Sequence, residues 1–253
     1  MVGEVSRRWR VGGKGRITAG AGTLFAASTL ALMASIGVRA EDDMKISRPE
    51  SRTIVVIGAS YAGGWTPDAP IAGYRIVTKG VSGEESSQVL ARFERDVLTR
   101  GPDAVIIWGF INDIFRTDRL RLGERLQKTR RDLWPMVELA RKAGIVPIVA
   151  TEVTIRGEDG WAEAAASLVG RILGKESYQD YINQHVSEIN RWIREISVRE
   201  NILLLDFEVV LADQRGMRRK EFAKPDGSHI SAQGYEALTR YADERLTAFF
   251  GSR

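Results

Sequence analysis

The sequence predicts an α/β protein: one domain of three layers, α/β/α, built around a five-stranded and mostly parallel sheet. From residue 52 onward, short β-branched runs alternate with longer stretches of helical periodicity, the pattern of strands joined by crossover helices. The 253 residues are 43% hydrophobic and 28% charged, which supplies a core for one domain and excludes a disordered or collagen-like chain. Neither an internal repeat nor a composition break divides 52–253, so a second domain is not expected.

The first forty residues stand apart. A basic stretch with Arg7, Arg8, Arg10, Lys14 and Arg16 precedes an uncharged run from Ile17 to Val38, and Val38-Arg39-Ala40 gives way to the acidic Glu41-Asp42-Asp43. That order is the pattern of a signal peptide over 1–40, cleaved after Ala40, with a short linker over 41–51. Ser6-Arg7-Arg8-Trp9 resembles the start of a twin-arginine signal. Arg10, however, occupies a position where that signal carries an apolar residue, which leaves the general secretory route open. The uncharged run is long enough to reach across a bilayer as an uncleaved anchor, but Gly, Ser and Thr dilute it. The expectation is export to the periplasm or medium without stable membrane insertion.

Candidate strands follow at 53–57, 74–78, 104–108, 145–150 and 202–205, each a short β-branched or aliphatic run. Four apolar stripes at helical spacing lie between and after them. Val89, Leu90, Phe93 and Val97 form the first, and Leu126, Leu133, Val137 and Ala140 the second. Ile182, Val186, Ile189, Ile193 and Ile196 form the third, and Leu238, Tyr241, Ala242, Leu246 and Phe249 the last. Such stripes face a core and carry no functional claim. The stretch 156–177, with Trp161 and an Ala-rich run, is the longest connection and reads as an inserted helical excursion or a flap.

Composition narrows the chemistry. Without cysteine the chain forms no disulfide and no thiolate zinc site, and with His185 and His229 its only histidines, a multi-histidine metal centre is not expected. The formal charge of +4 comes from the leader. Six of the 37 Lys and Arg residues but one of the 33 Asp and Glu residues fall within 1–40, and the remainder is near neutral. A nucleic-acid partner is therefore not expected. What is left is side-chain chemistry with no cofactor, metal or organic.

In an open parallel sheet the ligand sits beyond the carboxyl ends of the strands. The first candidate strand runs into Gly58-Ala59-Ser60-Tyr61, where a serine hydroxyl at the strand-to-loop turn can face the crevice. The third ends in Gly109-Phe110-Ile111-Asn112-Asp113. An Asn side chain there could donate to a developing oxyanion, or Asn112 or Asp113 could simply cap the next helix. Ahead of the final stripe, Asp226-Gly227-Ser228-His229 sets an acid three residues before an imidazole, so the loop can turn back and orient the ring.

Other features weigh less. The stretch 170–176 resembles a phosphate-binding loop but is one residue short and carries Glu176 in place of the hydroxyl residue. His185 reads as a boundary residue beside an apolar stripe, and Asp206 as a cap or brace for the turn after the last strand. Tyr61, Trp65, Phe110, Phe115 and Trp161 could line an acyl or sugar pocket, or belong to the core.

Ser after the first strand, Asn after the third and Asp-x-x-His before the last helix, in that order, resemble the SGNH (GDSL-type) hydrolase family. The resemblance runs from about Arg52 to the C terminus in four blocks: Gly58-Ala59-Ser60, Lys79-Gly80-Val81-Ser82-Gly83, Gly109-Phe110-Ile111-Asn112-Asp113 and Asp226-Gly227-Ser228-His229. The last two match most specifically. The first departs from the pattern, because Ala59 stands where the family carries Asp. The resemblance implies a flavodoxin-like fold and acyl transfer to Ser60, with His229 as base and Asp226 orienting it. It also implies an oxyanion hole made of the Ser60 and Gly80 N–H groups and the Asn112 side chain, whose loss at Asn112 would cost about a hundredfold in turnover.

The implied substrate is an ester of a small molecule, glycan or lipid: an acetylated saccharide, a lysophospholipid or a small acyl ester. Two alternatives use the same crevice. One is a catalytically poor envelope protein that binds a glycan or lipid, which Ala59 would fit; the other is acyl transfer to an alcohol instead of water. Retention of Ser60, Asp226 and His229 weighs against the pure binder.

Overall fold

The computed structural model describes residues 52–156 and 177–251. The leader 1–40, the linker 41–51 and most of the long connection, including Trp161 and the stretch 170–176, lie outside the described residues.

Five strands form one sheet: β1 (Thr53–Gly58), β2 (Arg75–Gly80), β3 (Ala104–Trp108), β4 (Val146–Ala150) and β5 (Leu203–Leu205). All their pairings are parallel, in the order β2-β1-β3-β4-β5. The expected five-stranded sheet is present with small shifts at strand ends, and it is parallel throughout. Strands covered on both faces need no polar side, which is why β1 and β3 read as continuous aliphatic runs. Ile54, Val55, Val56, Ile57, Ala104, Val105 and Ile106 are all fully buried.

The helices are α1 (Ser60–Gly64), α2 (Ser86–Ala91), α3 (Phe93–Asp96), α4 (Ile111–Phe115), α5 (Leu122–Lys142), α6 (Tyr178–Arg199), α7 (Phe207–Leu211) and α8 (Ala232–Gly251). The stripes on α5 and α6 face the core as expected: Leu126, Leu133, Val137 and Ala140 are buried on one, and Ile182, Val186, Ile189, Ile193 and Ile196 on the other. The first stripe is split between α2 and α3. Arg92 breaks it by turning inward, where its guanidinium donates to the Gly58 carbonyl at 2.8 Å, to Glu84 at 2.7 Å and to Asp96 at 2.8 Å. On α8, Leu238, Ala242 and Leu246 are buried, while Phe249 stays half-exposed and packs on Phe250 with ring centroids 5.0 Å apart.

The strand order decides where chemistry can occur. The chain runs from β1 outward to β2 on one side and from β3 outward to β4 on the other, so β1 and β3 flank the point where strand order reverses, and a ligand crevice is expected beyond their carboxyl ends.

Candidate active site

Three of the four sequence blocks emerge directly at that crevice. Ser60 is the first residue of α1, two positions beyond the close of β1, and is partly exposed. Gly80 ends β2 in register with Gly58, and Asn112 is the second residue of α4, just past β3. Their neighbouring backbones are stitched together: the Val81 N–H donates to the Gly58 carbonyl at 3.0 Å, and the Asn112 Nδ2 donates to the Glu84 carbonyl at 2.9 Å. One amide hydrogen of Asn112 thus fixes the side chain to the loop after β2, and the other is left to donate elsewhere.

The turn that carries Ser60 is tight for a definable reason. A Cβ at Gly80 would lie 1.9 Å from the Gly63 nitrogen and 2.5 Å from the Ala59 carbonyl oxygen, so only glycine lets β2 end against α1. On the other side, Gly109 has φ +153, and a Cβ there would sit 2.6 Å from the Ala59 nitrogen. Ala59 is 2% exposed, and its carbonyl accepts the Gly63 N–H at 3.0 Å. Backbone closure and these two glycines hold the turn, so the Ala59 departure leaves its geometry formed without a carboxylate.

The fourth block supplies an acid and an imidazole in contact. The Nδ1 of His229 is 2.7 Å from Asp226 Oδ2, while Asp226 Oδ1 accepts the backbone N–H of His229 at 2.8 Å and of Ser228 at 2.9 Å. Partial desolvation pushes the Asp226 carboxyl up, but the His229 N–H, the His229 ring and the Ser228 N–H together outweigh it and hold the group at about 2. An ionised acceptor on Nδ1 leaves Nε2 as the free ring nitrogen, the tautomer a general base requires. Both side chains are about half exposed, at 47% for His229 and 48% for Asp226.

The fourth block also reaches the first. Tyr61, the residue after Ser60, donates its hydroxyl to the Ser228 carbonyl, and its ring meets the His229 ring edge-on with centroids 6.5 Å apart. A chain separation of 167 residues is closed by that bond.

Residues 56–237 match the family model of the GDSL-like lipase/acylhydrolases. The chain belongs to the GDSL-like lipase/acylhydrolase family. It is therefore an enzyme of the serine ester hydrolase class, as the four blocks imply. Similar solved structures share the fold of this GDSL-like hydrolase at low identity. A GDSL-like lipase from Bacteroides thetaiotaomicron is 21% identical with a TM-score of 0.58, over 79% of this chain and 89% of that one. The lipase/acylhydrolase of Enterococcus faecalis is 20% identical with a TM-score of 0.56, over 78% and 96%. A catalytic mutant of an acetylxylan esterase from Geobacillus stearothermophilus is 21% identical with a TM-score of 0.56, over 77% and 94%. No curated protein matches the chain significantly.

Around its site, the GDSL-like hydrolase carries residues that sequence reasoning passed over. Glu152, two residues past β4, is fully buried, and its Oε2 accepts the N–H of Phe110 at 2.8 Å and of Ile111 at 3.2 Å, the residues leading into Asn112. Asn190 locks it from behind, accepting the Glu152 N–H at 2.8 Å and donating to its carbonyl at 2.7 Å. Position alone could have found Glu152, since it follows a strand end. Arg218, fully buried, donates to the Tyr61 hydroxyl at 2.8 Å and to the Ser228 carbonyl at 3.0 Å. No sequence signal marked it.

Other expectations sort themselves by packing. Trp65 and Phe110 are each 1% exposed and belong to the core, not to an open pocket. Asp206 braces the turn after β5, where Arg194 donates to its two carboxylate oxygens at 2.8 and 2.7 Å and Thr151 at 3.0 Å. His185 is a boundary residue at 19% exposure, 3.6 Å from Glu188.

Burial pushes the Glu152 carboxyl up to about 7, against the pull of the Phe110 and Ile111 N–H groups and of Arg218. A carboxyl that binds its proton more tightly when folded favours the folded state below its unfolded value near 4.5, and that advantage is lost as pH rises through about 7. Asp226, held low, acts in the opposite sense only in stronger acid. Thermal melting between about pH 5 and pH 8 should therefore lose stability with rising pH by a few kcal/mol, and Glu152→Gln should flatten the slope. An unchanged slope in the variant would remove Glu152 as its source.

Proposed function

We propose that the chain is an exported serine esterase that cleaves carboxylic esters with small acyl groups, acetylated saccharides foremost, through Ser60, His229 and Asp226. The observation that carries this reading is the 2.7 Å contact between His229 Nδ1 and Asp226 Oδ2, on a loop bonded to the residue that follows Ser60. His229 Nε2 takes the Ser60 hydroxyl proton as Oγ attacks the ester carbonyl carbon. The oxyanion is held by the Ser60 and Gly80 N–H groups and by the free amide hydrogen of Asn112. As the intermediate collapses, the alkoxide leaves with the proton from His229. Water, deprotonated in turn by His229, attacks the acyl-Ser60 carbonyl and releases the acid and the free serine.

A small acyl group is favoured because Tyr61, Trp65 and Phe110, three of the aromatics that could have lined a deep slot, are buried in the core, and the Asp226–His229 pair is half exposed. The fold's likeness to an acetylxylan esterase points the same way. Export rests on the basic, apolar and small-residue order of 1–40, and an N-terminal sequence beginning at Glu41 in the secreted protein would test it.

The direct test of function is hydrolysis of p-nitrophenyl esters from acetate to palmitate by the purified full-length protein. Turnover greatest on acetate is expected; turnover rising toward palmitate would replace the small-acyl assignment by a lipid one. Asn112→Ala should lower kcat by about a hundredfold with little change in KM, because the lost donor acts on the transition state.

A further inference from the structure

The loop that carries Asp226 and His229 is exposed, yet a catalytic imidazole must stay within a fraction of an ångström of its working position. Its hold on the rest of the molecule is specific. Tyr61 donates its hydroxyl to the Ser228 carbonyl, Arg218 donates one terminal nitrogen to the same carbonyl at 3.0 Å, and its other terminal nitrogen donates to the Tyr61 hydroxyl at 2.8 Å. The three bonds close a ring. The guanidinium also lies over the Tyr61 ring, 5.2 Å from its centroid. A second strap runs from the far side, where the Arg156 N–H donates to the Gly227 carbonyl at 2.9 Å and its side chain to the Arg218 carbonyl at 3.2 Å.

This ring joins residues adjacent to the two reacting side chains: Tyr61 follows Ser60 on α1, and Ser228 precedes His229. Neither Tyr61 nor Arg218 needs to reach the substrate. Tyr61 is 3% exposed and Arg218 fully buried, a costly place for a guanidinium, and the two terminal nitrogens of Arg218 are spent on this ring while its Nε is without a partner among the described residues. Burial keeps the Tyr61 phenol protonated, outweighing the Arg218 charge beside it, so the hydroxyl remains a donor to Ser228 while accepting from Arg218.

On the basis of the proposed triad, we infer that Tyr61 and Arg218 are positioning residues that set the Asp226–His229 loop against the Ser60 turn. Their work is to fix the distance and angle between nucleophile and base. Loss of the Tyr61 hydroxyl frees the Ser228 carbonyl from one of its two donors and leaves the loop to drift, which lowers the rate of the chemical step and not the affinity for substrate.

The test is Tyr61→Phe in the full-length protein, an isosteric change that keeps the ring and its packing. The expected result is a kcat for p-nitrophenyl acetate lower by ten- to about a hundredfold, with KM within about twofold. Tyr241→Phe is the control: it also removes a part-buried tyrosine hydroxyl, one that accepts the Asp206 N–H at 3.2 Å, but it has no link to the loop. It should keep the parent kcat. A second readout is independent of turnover. With two histidines in the chain, the Nδ1 proton of His229 on Asp226 can be assigned by NMR, and Tyr61→Phe should broaden or shift it upfield. Equal kcat in Tyr61→Phe and Tyr241→Phe, or an unmoved His229 resonance in Tyr61→Phe, overturns the inference. If Ser60→Ala retains the parent turnover, the triad itself fails, and the His229 resonance still decides whether Tyr61 positions the loop.

Discussion

Ser60→Ala is expected to abolish hydrolysis of p-nitrophenyl acetate, lowering kcat by about a millionfold, to the level that binding and the oxyanion donors alone sustain. The size follows from the proposed mechanism. Without Oγ there is no acyl-enzyme, and His229 would have to activate water in a site shaped for a serine attack. The loss should fall on kcat, since Ser60 is partly exposed at the crevice and contributes little to ground-state binding. Stability should change little for the same reason. The assay is initial-rate kinetics on parent and variant beside a thermal melt, and comparable turnover in the two would remove Ser60 as nucleophile.

The second large effect is expected from Asp226→Asn, at about ten-thousandfold in kcat. The side chain keeps its shape and half-exposed position, so the loop should remain folded. What changes is the ring it faces. The carboxylate accepts from Nδ1 at 2.7 Å, whereas an amide nitrogen turned to that position would select the opposite tautomer and deprive Nε2 of its role as base. Because Asp226 is held at about 2, its own protonation cannot account for loss of activity in mildly acidic buffer. A residual rate in Asp226→Asn that rises with pH toward hydroxide attack fits this picture; retention of most of the parent kcat at neutral pH contradicts it.

How much of this was legible in the sequence depends on whether a residue acts locally or at a distance. β1 and β3 were legible because a strand buried on both faces must be aliphatic along its whole length, as Ile54 to Ile57 and Ala104 to Ile107 are. Ser60 and Asn112 were legible because each stands just past a strand end, the Asp226–His229 pair because three residues suffice to bring acid and ring together, and Gly80 only through the family resemblance. Arg92 was not. Its inward turn, which splits one expected stripe into α2 and α3, depends on the Gly58 carbonyl and Glu84, neither of them its neighbour in sequence.

Arg218 was hidden more thoroughly. It stands in the basic run Arg215-Gly216-Met217-Arg218-Arg219-Lys220, and it bonds partners as distant as Tyr61. Tyr61 itself carried an ambiguous signal, since an aromatic beside the Ser60 turn suits a pocket or a core equally well. The structure buries it and bonds its hydroxyl to the Ser228 carbonyl, and that bond is tertiary.

The central claim, that Ser60 is the nucleophile and His229 its base, is tested most directly by trapping. The full-length protein is incubated with an alkyl fluorophosphonate, which reacts with an activated serine, and the labelled peptide is identified by mass spectrometry. The account predicts a single stoichiometric adduct on Ser60, formed rapidly in the parent and far more slowly in His229→Ala. An adduct on a different serine, or labelling of Ser60 at the same rate without His229, would contradict it.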